Sequence, residues 1–236
     1  MAPKPQTNVK AICLKTDVEA ACLKTESDLA AAIAALSGQC QIMRAIAKRC
    51  GLPPLRDFPA DFSGLAKIVT GQQVSAASAA AIWGRVEAGI RPFEAKRLLA
   101  HTEPELKALG LSTGKVKTLR AVAEVVAGGS LDFNRLNKSS DDAIRAKLTA
   151  LHGIGPWTAD IYLLFALRRA DAFAAGDLAL QIAAERLFKL PQRPSPEGLL
   201  DIAERWRPWR GAAARLLWAE YAHAQRLKKP GPVKRS

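Results

Sequence analysis

"LHGIGPWTAD", residues 151–160, is the stretch that decides how this chain folds. Two glycines, one residue apart, interrupt an apolar run in a sequence otherwise rich in helix formers. Glycine accepts positive φ and puts no side chain between the backbone and whatever approaches it. Pro156 directly after the second glycine suits the first turn of a helix, where a missing N–H costs little. The string therefore predicts a helix ending near Leu151, a tight turn through Gly153 and Gly155, and a second helix starting at Pro156. A helix start offers unsatisfied N–H groups and a positive dipole end, a ready seat for a phosphate. Ile154, the one apolar residue inside the turn, is expected to pin it to the core.

Outward from the hairpin, the composition agrees with a polyanionic partner. The chain has 236 residues and a formal charge of +13, with 35 basic residues against 22 acidic ones. Such an excess fits nucleic acid or an acidic membrane surface and says nothing about fold. No apolar stretch reaches the ~20 residues needed to span a bilayer. The opening "MAPKPQTNVK" carries no apolar signal-peptide core. A cytoplasmic, monomeric protein is expected, nucleoid-associated if its partner is DNA. The four cysteines, at 13, 22, 40 and 50, form no C-x-x-C pair and no zinc-like cluster with histidine, so they read as reduced thiols.

Ala and Leu are abundant and β-branched alternation is scarce, which predicts an all-α protein. Residues 1–25 read as a loose basic segment, 26–227 as one helical domain, and 228–236 as a basic tail. A helix is expected after Ser27 in "SDLAAAIAAL", and a second in "QCQIMRAIAKRC". "GLPPLRDFPADFSG" reads as a loop, and "GLAKIVTGQQVSAASAAAIWGRVEAG" as one long helix bent near Gly71. Shorter helices follow in "RPFEAKRLLA" and "EPELKALG", then a longer one capped by Ser112. "SDDAIRAKLTAL" sets Ile144, Leu148 and Leu151 on one face ahead of the hairpin. Beyond it, helices are expected from Pro156, from Leu178, and through "PEGLLDIAERWRPWRGAAARLLWAEYAHAQRL".

"LHGIGPWTAD", "KIVTGQQVSAASAAAIWGRV", "DAFAAGDLALQIAAERLF" and "ERWRPWRGAAARLLW" together resemble the helix-hairpin-helix (HhH-GPD) DNA glycosylase superfamily, in particular its DNA-3-methyladenine glycosylase II branch. The likeness spans roughly residues 28–225. It implies two helical lobes with a cleft between them and no N-terminal sheet domain. It also implies double-stranded DNA as partner and excision of alkylated purines such as 3-methyladenine and 7-methylguanine.

The resemblance sets the catalytic aspartate at Asp177, 22 residues after Gly155. Alone, Asp177 reads as the N-cap of "LALQIAAERL", and the two roles are compatible, because helix N–H groups orient a carboxylate. Cleaving an N-glycosidic bond builds oxocarbenium character on the sugar, which a fixed carboxylate stabilises. Bond cleavage needs no cofactor. In the bifunctional relatives, the glycosylase/lyases, a lysine stands where this chain has Trp157, and its amine forms a Schiff base with C1′. Tryptophan cannot do so, which implies a monofunctional enzyme. No cysteine follows Cys50, so the iron–sulfur cluster of one branch of the superfamily is not expected.

By the same resemblance Trp157, Trp218, Ile161 and Tyr162 fall at the base pocket, with Ile161 where relatives often carry a tyrosine. An indole gains about 2 kcal/mol or more by stacking on a desolvated cationic base. Trp83, Trp206 and Trp209 read as core. Gly153, Gly155 and Thr158 are expected against the DNA backbone. Gln73 matches the wedge that fills the gap left by a flipped base, and Gln72 is its neighbour; both also read as amides tying helices together. His152 replaces the usual proline of the hairpin. The carbonyls of Thr149, Leu151 and Ile154 are implied ligands of a monovalent cation, Na+ or K+. Two other readings stay open at this point. A non-enzymatic hairpin protein would bind DNA without needing Asp177 or Trp218. A glycosylase for another lesion would share the fold and the chemistry.

Overall fold

The computed structural model describes residues 21–228. The first helix, α1 (Glu26–Gln39), starts two residues earlier than expected. Its cap is Thr25, whose side chain accepts from the Asp28 N–H while Asp28 accepts from the Thr25 N–H. This reciprocal capping box satisfies two helix-end donors and outcompetes Ser27. Leu29, Ala32, Ile33 and Leu36 then line one buried face. The next helix, α2 (Gln41–Cys50), buries Met43 and Ile46.

The expected long helix through Gly71 is two helices, α3 (Phe62–Thr70) and α4 (Ala76–Gly89). Ser75 caps α4 by accepting from the Ser78 N–H at 3.1 Å, and Gln73 adopts a φ of 56°. A residue in the left-handed region cannot continue an α-helix. The Lys115 ammonium donates to the Thr70 carbonyl at 2.8 Å, serving an acceptor that the break leaves without a helical partner.

There follow α5 (Ala95–Ala100), α6 (Glu103–Ala108), α7 (Thr113–Ala127), the short α8 (Phe133–Leu136) and α9 (Asp141–Thr149). Ser112 caps α7 as expected. The helix after the hairpin, α10 (Pro156–Ile161), passes into a π-helical segment, Tyr162–Ala166. Then come α11 (Leu178–Leu187), α12 (Pro196–Ala203) and α13 (Arg210–Lys228). Among the described residues there is no strand, only one antiparallel bridge between Cys22 and Arg169. No helix is long and apolar enough to cross a membrane.

The helices sort into two packed groups. In one, α3, α5 and α6 pack on α7, and α9 packs on α10; in the other, α1, α2 and α11 pack on α13. The contacts of α3 with α10 and with the π-helical segment carry the first group toward the boundary where the cleft lies.

The expectation of a loose segment over residues 1–25 fails for its last five residues. Leu23 is fully buried, its N–H donates to the Arg168 carbonyl at 2.8 Å, and the Ala170 N–H donates to the Ala21 carbonyl at 2.7 Å. Apolar Leu23 between polar neighbours gives the segment one buried face. The expected looseness of the preceding residues and of the basic tail from 229 falls outside the described residues.

Candidate active site

The hairpin is built as its sequence dictates. Gly153 has a φ of 76°, and a Cβ there would run into the Thr118 side chain, so position and conformation both demand glycine. Gly155 has a φ of −94° and only open space where a Cβ would point. Its lack of a side chain therefore serves what approaches from outside. Ile154 is buried, as expected of the anchor. The Leu151 carbonyl accepts from the Ile154 N–H at 3.1 Å and closes the turn. Thr149 ends α9 and Ile154 precedes the Gly155 cap of α10, so both carbonyls lie in the irregular turn between helices, where oxygen acceptors are in surplus.

Thr158 does not face outward. It is buried, and its hydroxyl accepts from the Gln72 amide at 2.9 Å; the same amide donates to the Gly153 carbonyl at 3.3 Å. Half-buried Gln72 thus clamps the α3–α4 turn to the hairpin, and buried Thr158 serves the hairpin from within rather than facing outward. Buried polar groups need partners, and each supplies the other's. Gln73, next along, is exposed, and its side chain makes no hydrogen bond. Its left-handed backbone is strain of the kind that accumulates at functional sites.

Asp177 caps α11. Its Oδ1 accepts from the Ala179 and Leu180 N–H groups at 2.9 and 3.1 Å and from the Trp218 indole at 3.0 Å. Its Oδ2 accepts from the Trp157 indole at 2.9 Å. Two helix donors and two indoles thus fix one half-buried carboxylate. The loop before it is fixed as well. The Gln181 amide donates to the Ala175 carbonyl at 3.0 Å, and Arg210 and Arg207 pair with Asp171. Asp160 is not part of this group: it lies in a half-buried ion pair with Arg145 at 2.8 Å, its carboxyl pushed up by burial against the pull of that guanidinium.

Asp177 opens on a cavity of about 380 Å³, in the range of small-ligand sites. Trp157, Trp218 and Ile161 line it, as the sequence implied. Tyr162 does not. It is fully buried, packs on Phe133, and donates its hydroxyl to Asn137 Oδ1 at 2.8 Å; that burial drives its pKa well above the ordinary phenol value. One residue further along a helix is about 100° of rotation, enough to turn Tyr162 into the core while Ile161 faces the cavity. The π-helical widening then brings Phe165, four residues after Ile161, onto the same wall.

Several cavity residues escaped the sequence reading. Trp83, taken as core, is buried yet lines the cavity, edge-on to Phe93. Phe58 and Arg56 come from the proline-rich loop, and Lys67 from α3. A loop next to a rigid helical frame is where binding residues concentrate, which was the available signal. Trp206 is core, packed between Phe173 and Phe188.

With a glycine hairpin, a capping carboxylate 22 residues further on and an aromatic cavity beside it, the comparison with known proteins is specific. Residues 66–208 match the family described as "HhH-GPD superfamily base excision DNA repair protein". This chain belongs to that superfamily. The matched span holds the Gln72–Gln73 turn, the hairpin and Asp177, and leaves Trp218 beyond its end. Within the superfamily, the chain is 29% identical over 177 residues to "DNA-3-methyladenine glycosylase 1" of Schizosaccharomyces pombe, covering 71% of this chain and 78% of that one. It is 34% identical over 168 residues to a Mycobacterium tuberculosis protein named "Probable bifunctional transcriptional activator/DNA repair enzyme AlkA". That match covers 66% of this chain but spans only 33% of the relative. A solved structure of Schizosaccharomyces pombe 3-methyladenine DNA glycosylase in complex with abasic DNA superposes with a TM-score of 0.72 at 27% identity, over 80% of this chain and 95% of that one.

Proposed function

We propose that the protein is a monofunctional DNA glycosylase that flips alkylated purines, such as 3-methyladenine and 7-methylguanine, out of double-stranded DNA and cuts their N-glycosidic bond, leaving an abasic site. The observation that carries this reading is Asp177, held by two indole N–H groups and a helix start at the edge of an aromatic cavity.

Each part has a physical role. The Gly155 backbone, with open space in front of it, receives a phosphate at the start of the second hairpin helix. The basic surface supplies further phosphate contacts. Flipping a base costs a few kcal/mol, and Gln73, exposed on a strained turn, fills the vacated stack. The base enters the cavity beside Trp157 and Trp218. As the C1′–N bond breaks, positive charge grows on the sugar, and the Asp177 carboxylate stabilises it without having to reorganise. Water then adds at C1′. Trp157 offers no amine there, so no Schiff base forms. The carbonyls of Thr149, Leu151 and Ile154 are neutral oxygen donors suited to a hard monovalent cation, which would link the hairpin to a phosphate. The protein acts as a monomer on DNA, in the cytoplasm or at the nucleoid, and catalysis uses no cofactor.

The test is incubation with methylated duplex DNA, chromatography of the released bases, and borohydride in a parallel tube. Free methylated purines, abasic sites that break only with alkali, and no covalent adduct are expected. Binding without base release would identify a non-enzymatic hairpin protein. Trapping by borohydride would overturn the monofunctional assignment.

A further inference from the structure

The cavity beside Asp177 is lined by aromatic and aliphatic groups, by one carboxylate, and by two cations, Lys67 and Arg56. Among the described residues, no Asn, Gln, Ser, Thr, Tyr or His side chain lines it. Both oxygens of Asp177 are already bonded, Oδ1 to three donors and Oδ2 to one. The Trp157 and Trp218 N–H groups are spent on that carboxylate. Besides the Trp83 indole, the side-chain donors left to read the edge of a base are the Lys67 ammonium and the Arg56 guanidinium, the charged ones of the set.

Both cations are kept in place by rings of the cavity wall. Lys67 Nζ lies 4.8 Å from the Phe58 ring centre, and Arg56 Cζ lies 5.6 Å from that of Phe165. Neither side chain makes an ion pair or a hydrogen bond with the described residues. Behind the wall, Arg215 is buried 5.1 Å from the same Phe165 ring, and its pKa is pushed down to about 10 by burial and by the charge of Arg56. The aromatic wall is continuous, since Phe165 lies 5.6 Å from Phe58 and 5.5 Å from Trp218. Its π faces thus already attract the protein's own cations, so the cavity wall carries two positive charges besides the Asp177 carboxylate.

We propose that Lys67, with Arg56 at the rim, is a specificity-determining donor pair that favours neutral purine lesions with an acceptor edge and disfavours cationic ones. This rests on the reading that the cavity receives a flipped base, and it extends the lesion range. When a neutral purine departs, the C1′–N9 bond breaks and its electron pair passes to the base. Water adds to C1′ and releases the proton that the base takes up. Negative charge that develops on the purine in the transition state faces Lys67, a preformed cation. A base that already carries a positive charge meets the same cation as repulsion on entering, and leaves without needing the help.

The experiment compares two duplexes of equal sequence, one with a single hypoxanthine and one with a single 7-methylguanine. The two bases share the O6 acceptor edge and differ in charge. Single-turnover excision is measured at enzyme concentrations below saturation, so that the rate reports kcat/KM. The wild type is expected to release both bases. Lys67→Met is expected to slow hypoxanthine release by about tenfold or more, the worth of one charge-assisted hydrogen bond, and to speed 7-methylguanine release. Lys67→Arg is expected to keep the wild-type ratio, and Arg56→Met to shift the ratio in the same direction as Lys67→Met, by less. A merely structural Lys67 would slow both releases together, and that result, or an unchanged ratio in both Met variants, overturns the proposal. Wild-type release of 7-methylguanine without hypoxanthine overturns it while leaving the glycosylase reading intact. Release of neither base overturns the glycosylase reading, and the proposal with it.

Discussion

Trp157 donates its indole N–H to the one oxygen of Asp177 that no helix N–H reaches, across 2.9 Å. Trp157 therefore holds the carboxylate by its second oxygen, while the start of α11 and Trp218 hold the first.

Asp177→Asn removes the charge and keeps a cap for α11, although its NH2 group cannot accept from the Trp157 indole as Oδ2 does. Asn caps helices as well as Asp does, so α11 should keep its start and the melting temperature should change little. Losing the negative charge opposite a developing oxocarbenium ion should cost about a thousandfold or more in single-turnover excision. Affinity for abasic DNA should stay within a few-fold. An excision rate near wild type would remove Asp177 from the mechanism.

Tyr162→Phe tests the reassignment of Tyr162 from pocket to core. The variant leaves Asn137 Oδ1 without its 2.8 Å donor, which should cost about 1–2 kcal/mol of unfolding free energy in urea titration. Excision at saturating enzyme should match the wild type. A changed lesion preference without a change in stability would return Tyr162 to the pocket.

The two hairpin glycines should respond differently to alanine. Gly153→Ala forces a Cβ into Thr118 and a left-handed φ on a residue that resists it, so thermal denaturation should reveal a loss of about 1–3 kcal/mol. Gly155→Ala meets open space and should be nearly neutral in stability. Its methyl group stands where a phosphate would approach, so its cost should appear as weaker binding to duplex DNA. Equal destabilisation by the two variants would contradict this division.

Binding to undamaged duplex should weaken steeply with salt. A chain of charge +13 that neutralises several phosphates should lose about one unit of log–log slope for each contact. Anisotropy titrations between low and moderate salt measure it, and a flat line would exclude a DNA-tracking surface.

The sequence made the helical class, the hairpin and the Asp177 cap legible because each is written in local chemistry: glycine pairs, an N1 proline, a capping acid. The break between α3 and α4 was also local, since Ser75 three residues before Ser78 is a cap, but the unbroken alanine run hid it. Tyr162 was misread because one step along a helix turns a side chain by about 100°, and the π-helical widening after it cannot be seen in composition. Phe58, Arg56 and Lys67 reach the cavity through tertiary packing, so the sequence offered only the loop they border. Leu23 was missed for the same reason: a single apolar residue carries no period.

The loop that leads to Asp177 is gripped by parts of the chain far from it in order. The Ala170 N–H bonds back to Ala21, its carbonyl accepts from the Gly211 N–H at 2.7 Å, and Asp171 is paired with Arg207 and Arg210. During synthesis, a nascent chain that has just exposed Asp177 lacks all of the C-terminal grips and the Trp218 donor. The carboxylate reaches its working position only when α13 has emerged and docked. A chain that stops before Arg207 lacks both guanidiniums that pair with Asp171 and the Trp218 donor to Asp177, so the order of synthesis sets the order in which the site can close.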